Sequence, residues 1–406
     1  MARYLFVHQN FPGQFRHLAR ALAARGDTVA SLGEEARLKA NPPPHPAIQR
    51  VGYPAAKGGN PATHPYLRDH EGHIRRGQAV YRACQTLRQR GFRPDVVIAH
   101  PGWGEALFLK DAFPNAHHVH YLEYFYQADG GDVGFDPEFP ATEDDRLRVR
   151  IKNATQLHGL IACDRGISPT PWQKSRYPAI FQDRISVLHE GIDTQRVRPD
   201  ANAWIQVNGQ RLRHGDEVVT YVARNLEPYR GFHTFIRSLP ALQARRPNAR
   251  VVIVGGDEVS YGKRPPEGQS YRQIYCAEVR DQVDWSRVFF VGKVPYADYV
   301  RLLQISAAHV YLSYPFVLSW SMLEAMAAGC LVVASNTAPV LDVIRDGENG
   351  RLVDFFDPEA LAERVADGLA RPDEFRGLRE AARAAVHDQY DLATRCLPRQ
   401  IAWLDS

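Results

Sequence analysis

Short apolar runs alternate with helix-forming segments along the whole of this chain, and this alternation restricts its fold more than any other feature. In the first half the predicted strands are residues 3–9, 28–32, 96–100, 117–125 and 159–164. In the second half they are residues 218–224, 250–256, 287–292, 309–314, 331–335 and 350–354. Helical segments fall between them, among them 13–26 and 66–89. Strands that alternate with helices predict an α/β fold in which helices cover a parallel sheet.

The length of the chain predicts more than one domain. A chain of 406 residues is too long for one ordinary core and suggests two domains of about 150–200 residues each. The segment 185–199 ends the first alternation and leads into the second. We therefore predict an N-terminal domain at 1–190, a C-terminal domain at 191–385, and a terminal helix at 386–406 that packs back toward the first domain. Asn208-Gly209, which lies between β-rich runs, predicts a hairpin.

Composition and charge exclude several classes of protein. A hydrophobic content of 44% with 24% charged residues predicts a globular chain rather than a disordered one. No run of about 18 apolar residues is present, so we predict no membrane-spanning helix. The five scattered cysteines contain no Cys-x-x-Cys pair, which favours a reducing, cytoplasmic setting. No basic helical stripe or zinc-finger spacing indicates a nucleic-acid partner.

The mild positive charge is compatible with two kinds of partner. The net charge of +4 suits anionic substrates such as nucleotide phosphates, or peripheral contact with the inner face of a membrane. The sequence leaves the oligomeric state open.

The segment 311–354 carries the strongest functional pattern. It reads as strand, loop, helix, strand, loop, helix and strand, and its first helix begins near 319–321 and stops at Gly329. In open parallel sheets, ligands bind at the carboxyl ends of the strands. A helix that begins there offers backbone N–H groups and a positive dipole, which suit a pyrophosphate. Glu324, about one turn into the helix, is placed to accept hydrogen bonds from ribose hydroxyls.

Glu324 also has a purely structural interpretation. Ser321 and Glu324 have the spacing of a capping box, in which Glu324 closes on the backbone of the cap. Spacing alone favours that interpretation slightly. Similarly, Leu318, Met322 and Met326 at four-residue spacing are more typical of a core face than of ligand contacts.

Two arginines flank the first turn of the second half. Arg224 ends a predicted strand, and Arg230 precedes Gly231, which opens the next helix. Guanidinium groups bind phosphate oxygens in pairs, so the two arginines are candidates for a diphosphate clamp. The alternative is a pair of solvated surface arginines, and from these residues alone it is the better interpretation.

The first half contains weaker candidates for a site. Pro12-Gly13 at a strand–helix junction allows the backbone to approach a ligand closely. Residues 100–105, HPGWGE, follow a strand, and Glu123 lies near the end of the next one. The irregular segments 55–66 and 127–145 have two interpretations that the sequence supports equally: binding loops and plain surface insertions. No cluster has the spacing of a metal site and no Asp-x-Asp occurs, so we predict no metal.

Together these positions resemble the retaining glycosyltransferases of family 4, which have the GT-B fold. LEAMAAGCLVVAS (323–335) matches the family's helix and following strand, and HEGID (189–193) is similar to its interdomain segment. RNLEPYRG (224–231) is similar to its phosphate clamp, with Arg230 in the place of a lysine. The family pairs two glutamates around seven residues; here the first falls at Phe316. The family's usual acceptor-side histidine has no clean match, and Glu123 occupies that neighbourhood.

The resemblance implies two Rossmann-like domains that face each other across a cleft, and a sugar transfer that retains the anomeric configuration. Arg224, Arg230 and Glu123 are the implied catalytic residues. The implied donor contacts are Gly13, Gly292, Lys293, Val294, Phe316, Val317, Leu318, Ser319, Trp320, Ser321 and Glu324. The donor is a nucleoside-diphosphate sugar such as a UDP- or GDP-sugar, with no further cofactor. The acceptor is a glycan, a lipid-linked group or a small molecule, in bacterial glycan or glycoconjugate synthesis.

Two alternatives remain at this point. A nucleotide-sugar epimerase of similar architecture reacts without an acceptor. A nucleotide-sugar-binding pseudoenzyme binds the donor without turnover, and Phe316 in place of the glutamate keeps this alternative open.

Overall fold

The computed structural model describes all residues from Met1 to Ser406 and divides into two compact units. The first unit comprises Met1–Gly191 together with Ala393–Ser406, and the second comprises Ile192–Leu392. Each unit contains one parallel sheet covered by helices, so the predicted α/β class is confirmed.

The first unit is built on a seven-stranded parallel sheet with the order β3-β2-β1-β4-β5-β6-β7. Its strands are β1 Arg3–Val7, β2 Thr28–Glu34, β3 Gln49–Tyr53, β4 Val96–Ala99, β5 His117–Tyr121, β6 Arg165–Ser168 and β7 Ile185–Val187. Its helices are α1 Arg16–Ala24, α2 Glu35–Ala40, α3 Arg68–Gln89, α4 Leu109–Ala112, α5 Glu143–Lys152, α6 Ala154–Ala162, α7 Pro171–Ser175 and α8 Ala179–Gln182.

The second unit is built on a six-stranded parallel sheet with the order β12-β11-β10-β13-β14-β15, and on a separate hairpin. The hairpin is β8 Trp204–Val207 and β9 Gln210–Arg213, and the sheet strands are β10 Val218–Asn225, β11 Arg250–Gly256, β12 Val288–Gly292, β13 Ala308–Tyr311, β14 Leu331–Ser335 and β15 Arg351–Val353. The helices are α9 Phe232–Arg245, α10 Tyr271–Glu278, α11 Tyr296–Ile305, α12 Trp320–Ala327, α13 Ala338–Leu341, α14 Pro358–Ala370 and α15 Arg376–Tyr390. The hairpin confirms the prediction made from Asn208-Gly209.

The central strand β1 shows why the first sheet is covered on both faces. Its residues 4–7 are all buried, and successive side chains of a strand point to opposite faces. Leu5 and Val7 pack in one core with α3. Tyr4 and Phe6 pack in the opposite core with α1. The continuous apolar run of β1 therefore correctly predicts a central strand. Only a parallel strand that is covered by helices on both faces of the sheet carries apolar residues on both faces.

The last helix, α16 (Leu397–Asp405), belongs to the first unit. Its partly buried apolar residues pack against the core that contains Tyr4 and Phe6. Trp403 Nε1 donates a hydrogen bond of 2.9 Å to Ser186 Oγ, and the guanidinium of Arg165 stacks 3.9 Å from the Trp403 ring. The predicted terminal segment 386–406 is thus not one helix: it holds the end of α15, a π-helical turn at Leu392–Cys396, and α16.

Two strand predictions in the first unit need correction, and two strands, β3 and β7, were not predicted. Residues 159–162 of the predicted strand 159–164 end α6, and the true strand is β6. An apolar run this short does not distinguish a buried helix from a strand. The strand predicted at 117–125 ends at Tyr121. The strand β3 was missed because four of its five residues are not fully buried and it lies at the sheet edge, where the apolar signal is weak.

The two irregular segments of the first unit are held by polar contacts. In 55–66, the Glu71 carboxylate accepts hydrogen bonds from Asn60 N at 2.9 Å and from Thr63 Oγ1 at 2.6 Å. In 127–145, Tyr124 donates a hydrogen bond of 2.9 Å to Asp132, and Thr142 caps α5. Both segments therefore have a defined structure. No helix in the protein is both long and apolar enough to cross a bilayer.

Candidate active site

The strand order of the second sheet identifies where a ligand can bind. Counted outward from β10, the chain first builds β11 and β12 on one side and then returns to build β13, β14 and β15 on the other. The connections that leave the carboxyl ends of β10 and β13 therefore diverge, and a crevice opens between them. In open α/β sheets, this reversal point is the usual ligand site.

Arg230 lies at this reversal point and joins the two diverging connections. Its Nη1 donates hydrogen bonds to Tyr311 Oη at 3.3 Å, Ser313 Oγ at 2.7 Å and the Val317 carbonyl at 3.1 Å. Its own carbonyl accepts a hydrogen bond of 2.7 Å from Tyr221. All the hydrogen bonds of the guanidinium use Nη1, so Nε and Nη2 remain for a ligand. The prediction that places Arg230 in a strand–helix turn is confirmed, although its role as a clamp stays a prediction.

Arg224 is held much less tightly than Arg230. It is exposed on β10, one residue before the strand ends at Asn225. The two arginines thus differ in kind: one is fixed by the protein, and the other is solvated. A long cation at a strand terminus can swing onto an anion without breaking any structural contact.

The helix α12 begins at the same crevice. Its N-cap is Ser319, whose Oγ accepts a hydrogen bond of 3.3 Å from Ser321 N and lies 3.0 Å from Ser321 Oγ. Ser319 N in turn donates to Tyr311 Oη at 2.8 Å. The helix ends as predicted, with Gly329 in the left-handed conformation at φ 85°. The first turn of α12 therefore lies at the reversal point, with the positive end of the helix dipole at the crevice.

Glu324 does not form the predicted capping box. The cap is Ser319, and the Glu324 carboxylate turns away from it to accept hydrogen bonds from two phenols. Tyr296 Oη donates to Oε1 at 2.6 Å, and Tyr299 Oη donates to Oε2 at 2.7 Å. Burial raises the pKa of Glu324, while the two phenols oppose that shift. The interpretation of Glu324 as a cap is thus wrong, and its role as a ribose ligand stays a prediction.

The predicted base-binding segment follows the edge strand β12. Gly292 adopts φ 66°, and Lys293 Nζ lies 2.5 Å from the Glu258 carboxylate. Val294 is partly buried against two cores of the second unit. Because β12 is parallel to β10 and β13, these residues lie at the same edge of the sheet as Arg230. Glu258 was not predicted as part of this segment. Its carboxylate pairs with Lys293 and neutralises the charge of that ammonium group.

Phe316 is not exposed to a ligand in the way the family resemblance implied. The side chain is 4% exposed, and its ring lies 4.9 Å from Tyr261 and 5.6 Å from Tyr229 between centroids. An aromatic cluster therefore occupies the place where the family carries a carboxylate. Of the neighbouring predicted contacts, Leu318 is partly buried against the core, and Trp320 is 42% exposed.

A buried carboxylate that sequence reasoning missed organises the wall of this crevice. Glu227, 1% exposed, accepts backbone N–H hydrogen bonds from Ser260, Tyr261 and Gly262 at 3.1–3.3 Å. It thereby ties the loop after β11 to the turn after β10. The only sequence signal for the role of Glu227 was its position: it is an acidic residue in a strand–helix turn, and a glycine-containing loop follows the next strand.

The first unit has its own reversal point, between β1 and β4. His8, which follows β1, and His100, which follows β4, approach with ring centroids 5.7 Å apart. Trp103 stacks on His100 at 4.1 Å with an interplanar angle of 14°. Burial, with a smaller effect of the nearby His100, lowers the pKa of His8 to about 3, so this ring is neutral at physiological pH. The segment 100–105 predicted from sequence therefore lies beside the first turn.

Glu123 joins this cluster from beyond the end of β5. Its Oε2 lies 3.2 Å from His100 Nε2, and its Oε1 accepts a hydrogen bond of 3.0 Å from Gln14. Gly102 N donates to His100 Nδ1 at 3.1 Å, which leaves Nε2 as the protonated nitrogen of a neutral ring. Burial raises the pKa of Glu123, but the His100 and Gln14 contacts outweigh it and the net shift is downward. The carboxylate is ionised, and its side chain is 26% exposed.

Gly13 serves packing within this cluster. Its φ is 46°, and a Cβ there would lie 2.8 Å from His8 Cε1. The His8 ring thus fills the space on the Cβ side of Gly13, and the contact of the Gly13 backbone with a ligand stays a prediction. Gln14, the next residue, was not predicted as part of the site, although its position in the first turn after β1 was the signal that could have identified it.

Comparison with known proteins identifies the family. Residues 25–197 match the model of the glycosyl transferase family 4 group, and residues 203–385 match that of the glycosyl transferases group 1. The chain belongs to the group 1 glycosyltransferases of family 4. The family resemblance inferred from the sequence is therefore confirmed.

Relatives and solved structures agree with this assignment. D-inositol 3-phosphate glycosyltransferase of Streptomyces coelicolor is 29% identical over 68% of this chain and 60% of its own length. The chain thus matches about three fifths of this curated relative. Sucrose-phosphate synthase of Thermosynechococcus elongatus superposes with a TM-score of 0.74 at 21% identity, over 100% and 99% of the two chains. Anabaena HepE in complex with UDP and glucose gives 0.66 at 17%, over 100% of both. The GT-B fold class is confirmed.

Proposed function

We propose that the chain is a retaining glycosyltransferase that moves a sugar from a nucleoside-diphosphate sugar to an acceptor hydroxyl, in bacterial glycan or glycoconjugate synthesis. The observation that carries this proposal is the convergence of Arg230 and the start of α12 at the reversal point of the second sheet. A fixed cation and the positive end of a helix in one crevice fit a diphosphate. The UDP bound in the similarly folded HepE supports this ligand class.

In the proposed donor site of the second unit, different residues contact different parts of the nucleotide sugar. Arg230 and the first turn of α12 bind the diphosphate in place, and Arg224 closes onto it from solvent. Glu324 accepts hydrogen bonds from the ribose, and the Gly292–Val294 segment contacts the base. When the bond between the sugar and the diphosphate breaks, negative charge grows on the leaving group. Preorganised cations and dipoles stabilise that charge without any further reorganisation, which is the main electrostatic contribution to the rate.

The acceptor binds in the first unit, beside Glu123. His100 and Gln14 hold this carboxylate ionised and fixed, and its partial exposure leaves it accessible to an incoming hydroxyl. A carboxylate in this state accepts a hydrogen bond from the acceptor hydroxyl and orients its oxygen. The acceptor class remains a glycan, a lipid-linked group or a small molecule.

The arginine assignment is tested by Arg224→Ala combined with Arg230→Ala. We expect sugar transfer to fall by at least about a hundredfold, since removal of one electrostatic donor alone costs about 10²–10³ in rate. A panel of UDP- and GDP-sugars with mixed acceptors provides the assay. Arg245→Ala, which removes an exposed arginine paired with Glu359, is the charge-matched control and keeps wild-type activity. Near-normal transfer by the double variant contradicts the clamp.

The same assay separates the two alternatives. Conversion of a nucleotide sugar in the absence of any acceptor identifies an epimerase. Binding of UDP or GDP without turnover over the whole acceptor panel identifies a pseudoenzyme, in which the aromatic cluster around Phe316 has replaced the sugar contact. Transfer to an acceptor with retained configuration, measured by NMR of the product, supports the proposal.

A further inference from the structure

The Glu324 carboxylate is covered in this structure by the two phenols that donate to it. Glu324 is 8% exposed, although it lies at a crevice where a nucleotide has to reach it. Each of its oxygens accepts one short hydrogen bond, from Tyr296 at 2.6 Å and from Tyr299 at 2.7 Å. The carboxylate is therefore satisfied without a ligand, which its burial requires.

The two phenols differ in how freely they can leave. Tyr299 is 8% exposed and packs in the core of the second unit. Tyr296, three residues earlier at the start of α11, is 42% exposed. The outer face of Tyr296 carries the Arg196 guanidinium, 4.5 Å from the ring centroid. Movement of Tyr299 would open a core cavity, whereas movement of Tyr296 only exposes a ring that is already half in solvent.

The position of Tyr296 in the chain connects it to the nucleotide. Only Pro295 separates it from the segment Gly292–Val294, which follows the edge strand at the same edge of the sheet. A nucleoside whose base contacts this segment and whose ribose hydroxyls bind Glu324 competes with the Tyr296 phenol for Glu324 Oε1. Tyr296 therefore supplies the hydrogen bond to Glu324 that a ribose hydroxyl of the bound nucleotide would replace.

We propose that Tyr296 is a displaceable cover on Glu324, exchanged for a ribose hydroxyl when the nucleotide binds, whereas Tyr299 stays in place and orients the carboxylate. This inference rests on the proposed function of the second unit as a nucleotide-sugar site. Exchange of one hydroxyl donor for another keeps the buried carboxylate satisfied throughout. A ligand without ribose hydroxyls cannot make this exchange, so the cover makes binding selective for the intact ribose.

Tyr296→Phe and Tyr299→Phe give opposite results if the proposal is correct. Without its hydroxyl, residue 296 no longer competes for the carboxylate, and UDP or GDP binds about three- to tenfold more tightly. Without the Tyr299 hydroxyl, the carboxylate loses its fixed partner and binding weakens about three- to tenfold. Isothermal titration calorimetry with UDP and with GDP measures both changes. The melting temperature of each variant checks that it is folded.

The 2′,3′-dideoxy forms of UDP and GDP are the matched control ligands. Because they carry no hydroxyl to replace the phenol, wild type and Tyr296→Phe bind them with equal affinity. If Tyr296→Phe weakens or does not change UDP and GDP binding, or tightens the dideoxy ligands equally, the cover is wrong. If neither UDP nor GDP binds the wild type, the proposed function fails and this inference fails with it.

Discussion

His120 shows how strongly one side chain of the first sheet depends on remaining uncharged. It lies on β5 with 0% exposure, and neither ring nitrogen has a hydrogen-bond partner. Burial, reinforced by the neighbouring His118, lowers its pKa to about 3. In the unfolded chain a histidine takes up a proton below about pH 6.5. Between pH 6.5 and 3 the unfolded state therefore binds one proton more, and the free energy of unfolding falls as the pH falls.

We expect His120→Leu to flatten this dependence. Relative to wild type, the variant should gain about 2 kcal/mol in the free energy of unfolding between pH 7.5 and 5.0, because one proton no longer favours the unfolded state. Urea unfolding at the two pH values gives the comparison. An identical pH slope in wild type and His120→Leu would refute the argument.

At the scale of one element, the N-terminus of α12 contributes both to the stability of the helix and to the proposed binding of a diphosphate. Its N-cap Ser319 both closes the first turn and receives its own support from Tyr311. In the proposed function, the positive end of the same helix binds a diphosphate. A weakened cap therefore frays the part of the helix that the proposed ligand uses.

Ser319→Ala should lower the free energy of unfolding by about 1 kcal/mol and weaken UDP binding about three- to tenfold. The matched control is Ser270→Ala, which removes the cap of α10 in the same unit. It should cost similar stability without changing UDP affinity. Chemical denaturation and calorimetry measure the two quantities. Equal losses of affinity in both variants would mean that the effect is general destabilisation.

The elements also show where sequence reasoning succeeds and where it stops. All six sheet strands of the second unit were predicted, because short apolar runs that alternate regularly with helical segments have few alternatives. The Glu324 helix was placed correctly, but spacing alone did not separate a capping box, which the structure lacks, from a ligand carboxylate, which stays a prediction. Its phenol partners lie 28 and 25 residues away in sequence. Tyr296 and Tyr299 share one helix face, yet nothing local shows which side chain that face meets.

At the scale of the whole molecule, the two units differ in whether they are formed from one segment of the chain or from two. The second unit is one continuous segment, whereas the first is completed by residues 393–406. The helix α16 fastens to the first unit through the Trp403–Ser186 hydrogen bond and the Arg25–Asp405 ion pair at 2.6 Å. The stability of the first unit therefore depends on residues about two hundred positions away from the rest of its sequence.

Trp403→Ala should destabilise the first unit by about 1–3 kcal/mol, because it removes apolar packing, the hydrogen bond to Ser186 and the Arg165 stack together. Hydrogen exchange should accelerate at the amides of α1 and α16 and stay unchanged in the second sheet. Trp285→Ala, which removes a partly exposed tryptophan with one hydrogen bond to Arg280, should show the reverse distribution. Uniform acceleration in both units would contradict the division.

The return of the chain to its first unit has a consequence for synthesis on the ribosome. Residues 1–191 emerge first, but the core that α1 forms with Tyr4 and Phe6 lacks the apolar residues of α16 until that helix has also been made. The second unit, by contrast, has all its residues as soon as position 392 has left the exit tunnel. The second unit is therefore positioned to complete its core first, while the first unit waits with the apolar surface that α16 later covers still exposed.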